Sequence, residues 1–348
     1  MLGKDRCLRA LKGQKVDRAS VHPAIDYSYA APLCGASVSD CFLDPKLHAG
    51  ALEHVFQVHN DIDGLYVNLC LSPTVITKTE RSGRDSYATD ISGAVWRIPA
   101  NDVGTVTSNA IVNLDDRRLK TVDPLRAGIN ETYAYISQEI KDRYLIIPGL
   151  TGPFSQLVFI VGFERVLISI IEQPEKLRKA LEWRLAVALE WLNELITLGA
   201  ECIWIGEGAA SSSVISPGHY REFVYPYEKV LIEEMKRKGI TSIVHICGDI
   251  TKSMDFIADT GADALDIDHM VDLSDASARI GDKVVIKGNV DPRELMELRA
   301  SEVRELCKAK IRTGQRGRGI VLSTGCLVTR DTPPENIEAM VQASVELQ

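Results

Sequence analysis

The stretch "TSIVHICG" (241–248) decides the fold. Apolar and β-branched residues crowd it, it is too short for a core helix, and a glycine stops it, so it reads as a buried strand. Five further runs of the same kind share the second half of the chain. They are "RYLIIPGL" (143–150), "CIWIGEG" (202–208), "DALDIDHM" (263–270), "KVVIKGNV" (283–290) and "GIVLSTGC" (319–326). Between them lie longer amphipathic stretches, such as Pro174 to Leu198 and "SEVRELCKAKIRTG" (301–314), which stops at Gly314. Strands alternating with helices at these lengths build a parallel sheet with crossover helices. Upstream, "RASVHPAI" (18–25) and "DGLYVNLC" (63–70) add two more strands, separated by helical sequence around 46–60. Eight strands close a barrel, so the expected fold is α/β, a (β/α)8 TIM barrel made by one domain over 1–348. Residues 74–123, with "SGRDSYATDISGAVWRIP" at their centre, read as a β-hairpin insertion, either a cover for the mouth or a structural flap.

Bulk properties narrow the function. With 48 acidic against 40 basic residues the formal charge is -8, which leaves no basic excess to neutralise phosphates, so neither nucleic acid nor an acidic membrane is the expected partner. The one dense basic run, "RTGQRGRG" (312–319), reads as a solvated loop. The start lacks the apolar core of a signal peptide. The most apolar stretch, "FIVGFERVLISII" (159–171), is broken by Glu164 and Arg165 before reaching the ~18 residues that span a bilayer. A cytoplasmic protein is expected. Its eight cysteines are too sparse for a disulfide scaffold and read as reduced thiols, free to act as ligands.

In a barrel of this type chemistry sits at the C-terminal strand ends. Side chains alternate along a strand, so His245 and Cys247 face one side, and Cys326 ends the last strand at the same mouth. One imidazole and two thiolates with a fourth position open is the donor set of a catalytic zinc, and the soft sulfurs disfavour magnesium or manganese. Glu207 and Asp268 compete for the fourth place and for catalytic roles. Asp266 shares the face of Asp268 and reads as an orienter of the His245 imidazole or a simple hydrogen-bonded carboxylate. Asn68 and Asn289 are expected to bind substrate, and Asp291, before Pro292, to cap a helix. His22, His219 and His269 are polar residues without an assigned role.

At these positions the chain resembles the uroporphyrinogen decarboxylase superfamily, and within it the zinc-dependent, corrinoid-linked methyltransferase branch typified by the methylcobamide:coenzyme M methyltransferases. The resemblance covers nearly the whole chain: "RCLRALKGQKVDR" (6–18), "GPFSQLVFIVGFERVL" (152–167), "VISPGHYREFVYPY" (214–227), "VHICGDIT" (244–251) and "TPPENIEAMVQA" (332–343) follow in family order. It implies that His245, Cys247 and Cys326 hold zinc. "DALDID" also looks like the strand that carries an acidic zinc ligand in cobalamin-independent methionine synthase, with Asp268 at the matching place. The decarboxylase branch fits worse, because its N-terminal Arg-Gln-Ala-Gly-Arg-Tyr motif is absent and "LYVNLCLSP" (65–73) lacks its Phe-Ser-Asp.

The resemblance implies methyl transfer between a methylcobamide and a small substrate, with a thiol acceptor of the coenzyme M type favoured. The alternative is demethylation of a methyl ether or other donor onto the corrinoid. Two thiolates and a neutral imidazole leave a divalent ion formally uncharged, which keeps a bound sulfur nucleophilic and tilts the reading toward the acceptor direction. No Asp-x-His-x-x-Gly signature occurs, so a separate corrinoid protein is expected to bring the cofactor.

Overall fold

The computed structural model describes all 348 residues. In chain order its strands are β1 (Ser20–Val21), β2 (Gly64–Val67), β3 (Ile76–Ser82), β4 (Asp85–Asp90), β5 (Val95–Ile98) and β6 (Thr105–Ser108), then β7 (Leu145–Thr151), β8 (Cys202–Gly206), β9 (Thr241–Ile246), β10 (Ala264–Ile267), β11 (Val285–Val290) and β12 (Ile320–Thr324). Eight of them pair in parallel in the order β1-β12-β11-β10-β9-β8-β7-β2, with helices outside, which is the (β/α)8 barrel. The seam between β1 and β2 is bridged at its base by Asp63. Its backbone N–H donates to Val21 O at 2.8 Å, while its carboxylate accepts from the Val21 N–H and the Ser20 hydroxyl, both at 2.8 Å. Arg6 and Arg18 pair with the same buried carboxylate.

The barrel is filled in layers. A lower layer takes Ile147, Cys202, Ile243, Ala264, Val285 and Val321 from successive strands, and the first helix, Gly3–Leu11, plugs the floor with Cys7, Ala10 and Leu11. Two residues further along the same strands, side chains again point inward. Here the packing turns polar: Trp204, His245, Asp266, Lys287 and Ser323, joined by Tyr66, form the layer beneath the mouth. The outer core, 85 buried residues, lies between strands and helices.

The inserted segment is larger than a hairpin. β3, β4, β5 and β6 form a four-stranded antiparallel meander. It follows β2 and so rises at the mouth end, where Trp96 packs against Phe42 and Phe159 and Asn109 donates to Phe159 O. The apolar stretch around 159–171 is split at Gly162, whose φ of 104° turns helix Pro153–Val161 by 115° into helix Phe163–Glu172. No single helix is long and apolar enough to cross a membrane.

Candidate metal centre

β9 delivers His245 inward and ends, so that Cys247 follows onto the rim. The chain then turns at Gly248, whose φ of 78° is open to glycine at little cost. On the far side of the mouth, three strands away in the barrel order, β12 stops at Thr324 and Gly325 carries the chain into Cys326. A Cβ at position 325 would strike the backbone of His269, so that turn also requires glycine. The result is that one ligating atom each from His245, Cys247 and Cys326 lie within 4.8 Å of one another. The imidazole Nε2 is 3.2 Å from Cys247 Sγ.

The imidazole is held in the tautomer a metal needs. Its Nδ1 lies 2.9 Å from the backbone oxygen of Asp266. A carbonyl oxygen only accepts, so Nδ1 carries a hydrogen and Nε2 is the ring nitrogen that faces the sulfurs. Trp204 stacks on the ring at 5.4 Å and 24° and fixes its plane. The Asp266 carboxylate, expected as the orienter, stands 3.9 Å from Nδ1 and is engaged elsewhere. Tyr66 Oη donates to it at 2.9 Å, Trp204 Nε1 at 3.3 Å and the buried Lys287 ammonium at 3.3 Å to both oxygens.

The two thiols polarise each other. The hydrogen bond from Cys247 pulls the Cys326 thiol down to about 5 against the opposing effect of burial, with help from His245. The same bond, joined by burial, pushes Cys247 up. Burial opposes charging of His245, but the hydrogen bond to Cys326 and the charges of Asp266 and Cys326 outweigh it and raise the imidazole. A pair of thiols already disposed to share one negative charge next to a correctly turned imidazole suits a soft, tetrahedral divalent ion such as zinc.

Three expected site residues are placed differently. Glu207 is buried and points between helices, where its oxygens accept from Phe154 N at 3.1 Å and Ser155 N at 2.8 Å, the free N–H groups that open helix Pro153–Val161. Burial raises its carboxyl to about 7. Asp268 accepts from Gly248 N at 2.9 Å and Met270 N at 3.1 Å, and His269 Nδ1 lies 2.8 Å from it, so it splints the rim. Neither carboxylate belongs to the three-residue cluster. Asn289 is fully buried, donates to Asp268 O and Val271 O at 3.0 and 2.7 Å, and accepts from Lys310; it is a clamp between loops and is not part of the cavity wall. Asn68 does line the cavity, and its side chain accepts from Leu69 N at 2.9 Å, where the backbone takes a φ of 26° that non-glycine residues rarely adopt. Asp291 caps its helix through Arg293 N, as its place before Pro292 predicts.

Beside the three ligands lies a cavity of about 230 Å³. Trp204, Tyr66, Phe159, Val158, Leu69 and Leu327 supply most of its wall, with Asn68, Ser155 and Thr151 as polar points. The sequence reading missed the aromatic wall. Trp204 and Tyr66 are in phase with inward positions on their strands, and that signal was available.

A sequence model of the family described as Uroporphyrinogen decarboxylase (URO-D) matches residues 89–347, about three quarters of the chain. The chain belongs to the uroporphyrinogen decarboxylase family. Among its relatives, a Methylcobamide:CoM methyltransferase MtbA of Methanosarcina mazei is 24% identical over 350 residues, covering 98% of this chain and 97% of that protein. A Uroporphyrinogen decarboxylase of Legionella pneumophila (strain Paris) is 25% identical over 281 residues, covering 78% of this chain and 76% of its own. Among solved structures, a methyltransferase from Methanosarcina mazei superposes with a TM-score of 0.84 at 21% identity, covering 100% of this chain and 99% of that one. A B12-independent methionine synthase from Shewanella sp. W3-18-1 gives 0.52 at 15% identity, covering 86% and 88%. These two likenesses show the shared barrel fold.

Proposed function

We propose that this chain is a zinc-dependent methyltransferase that moves a methyl group between a cobamide carried by a partner protein and a small substrate seated beside His245, Cys247 and Cys326. The observation that carries the reading is the convergence of those three ligating atoms within 4.8 Å, from opposite sides of the barrel mouth. Family membership and the near full-length likeness to proteins named methylcobamide:CoM methyltransferases support it. The rival decarboxylase reading would leave this donor set without a task.

Zinc held by the imidazole and two sulfurs supplies a Lewis acid that keeps a substrate thiol ionised at neutral pH or polarises a methylated heteroatom. The chain does the rest by preorganisation. Asp266 O and Trp204 hold the imidazole in orientation, and Asp268 fixes the Gly248 turn that sets Cys247. In the favoured direction the cobamide would supply the methyl group and keep the electron pair of its carbon–cobalt bond, while a substrate thiol seated beside His245, Cys247 and Cys326 would release its proton and take the methyl on sulfur. The likeness to proteins named methylcobamide:CoM methyltransferases supports a cobamide carried by a partner that docks over the open mouth.

Metal analysis combined with methylcobalamin absorbance tests the reading. About one zinc per chain, lost in His245→Ala and in Cys326→Ala, and loss of the methyl–cobalt spectrum with one class among thiols, phenyl methyl ethers and folates, are the expected results. Full activity in protein stripped of metal would overturn it.

A further inference from the structure

The cavity beside the metal centre contains no basic side chain. None of the 18 residues on its wall is a lysine or arginine, and its one titratable nitrogen base, His245, belongs to the metal site. The nearest buried cation, Lys287, lies beneath the floor with its ammonium committed to Asp266 and Ser323. A sulfonate, carboxylate or phosphate on the substrate would be desolvated there without a counter-charge, at a cost no nearby group offsets.

Backbone amides are the other way a barrel mouth captures anions, especially at helix N-termini. In this chain several of those amides are already bonded to the chain's own acids. Glu207 occupies the N-terminus of helix Pro153–Val161 through Phe154 N and Ser155 N. Asp268 takes Gly248 N and Met270 N, Asp26 takes Ser28 N, and Asp291 takes Arg293 N. Ala209 N, on the cavity wall, is spent on the Ser155 hydroxyl at 3.2 Å. The one carboxylate on the cavity wall itself is Asp266, so an incoming anion would meet a carboxylate there and no cation.

The wall instead offers an aromatic and aliphatic surface. Tyr66 and Trp204 meet at 5.4 Å and 50°, and Trp204 in turn stacks on His245, so one side of the cavity is a continuous ring surface reaching the metal ligands. Phe159, Val158 and Leu327 extend that apolar surface, and Asn68, Thr151, Ser155, Thr324 and the Asp266 carboxylate are the polar points between. A closed apolar cavity of about 150 Å³ is enough to hold benzene. The 230 Å³ here therefore accommodates one ring with a small substituent.

Building on the proposed methyl transfer, we infer that the substrate is a neutral molecule with an apolar body of about one aromatic ring, bearing the oxygen or sulfur that exchanges the methyl group, and that anionic thiols such as 2-mercaptoethanesulfonate are poor substrates. The selectivity arises from charge as well as shape.

Binding to zinc-loaded protein, followed by Trp204 fluorescence and calorimetry, separates the two. The probes are methoxybenzene, 4-methoxybenzenesulfonamide and 4-methoxybenzenesulfonate. The last two match in size and differ in charge at pH 7. The neutral pair should bind at least tenfold more tightly than the sulfonate, Trp204→Phe should abolish the fluorescence change, and Val158→Arg should narrow the charge discrimination. Equal or tighter binding of the sulfonate, or no measurable binding of either neutral probe, overturns the inference. Methylcobalamin turnover with phenylmethanethiol against 2-mercaptoethanesulfonate then tests the reading beneath it. Turnover that prefers the sulfonate overturns the substrate class and leaves methyl transfer standing. Neutral probes that bind while no thiol or ether is turned over leave the cavity's preference for neutral aromatic ligands standing and overturn methyl transfer.

Discussion

Replacing Lys287 with Met removes the cation from the polar layer under the mouth. Lys287 is fully buried and Asp266 nearly so, and the ammonium stands 3.3 Å from both carboxylate oxygens and 4.9 Å above the Tyr66 ring. In the variant, Asp266 keeps two neutral donors, Tyr66 Oη and Trp204 Nε1, and no counter-charge. Stranding one member of a buried pair costs roughly 3–5 kcal/mol, and Asp266→Asn should cost a similar amount by stranding the ammonium. The double variant removes both charges, so a double-mutant cycle by urea unfolding at pH 7 should return an interaction of at least about 2 kcal/mol, with the double variant more stable than either single one. The metal centre makes the test sharper. Because the Asp266 backbone oxygen orients His245, Asp266→Asn should leave zinc affinity within about threefold, whereas loss of an orienting partner typically costs about 10–100-fold. Additive single effects, or a tenfold fall in zinc affinity in Asp266→Asn, would refute the reasoning.

Cys326→Ala should lower zinc affinity by at least about a hundredfold, with a far-UV spectrum matching that of the parent, as measured by competition with a chromogenic chelator, since the proposed site would lose one of its three protein ligands. Asn289→Ala should destabilise by roughly 1–3 kcal/mol in denaturant melts, because two loop carbonyls and the Lys310 ammonium lose their partner, while probe binding in the cavity is unchanged. Burial, and then the charge of Glu207, raises Glu228 to about 8, so the folded state holds that proton more tightly than the unfolded chain. Its contribution to stability is therefore complete below the ordinary Glu range and lost as pH rises toward 8. Urea midpoints at pH 5 and pH 8 should differ less in Glu228→Gln than in the parent, and an unchanged difference would count against this assignment.

The barrel was legible because period and punctuation agree along the second half of the chain, where the runs at 143–150, 202–208, 241–248, 283–290 and 319–326 each contain a strand of five to seven residues. β1 kept only two residues of the run at 18–25, because the pairing there passes to the Asp63 side chain. The meander exceeded the expected hairpin because β6, Thr105–Ser108, is a four-residue TVTS run too polar to register as a strand by itself. Strand phase already sets Glu207 apart from the inward row: Cys202, Trp204 and Gly206 share one face, and residue 207 falls on the other. Asn289 is in phase with Lys287 and still turns away from the cavity, and no periodicity encodes that choice.

The capping role of the rim carboxylates and the unrecruited state of the His–Cys cluster follow from one constraint. At the C-terminal ends of the strands the chain leaves the ladder, and its free N–H groups need acceptors. Acids near the rim are the strongest acceptors available, so Glu207, Asp268 and Asp291 are drawn into capping. Thiols are weak acceptors and an imidazole turned by a carbonyl has only one lone pair left, so Cys247, Cys326 and His245 are not recruited in that way and stay available to a cation. The ligands also come from β9 and from the turn after β12, three strands apart, so they meet only once the barrel is nearly closed. Metal binding at this centre therefore reports closure of the whole barrel, and zinc in excess of its dissociation constant should raise the unfolding midpoint in proportion to the logarithm of its concentration.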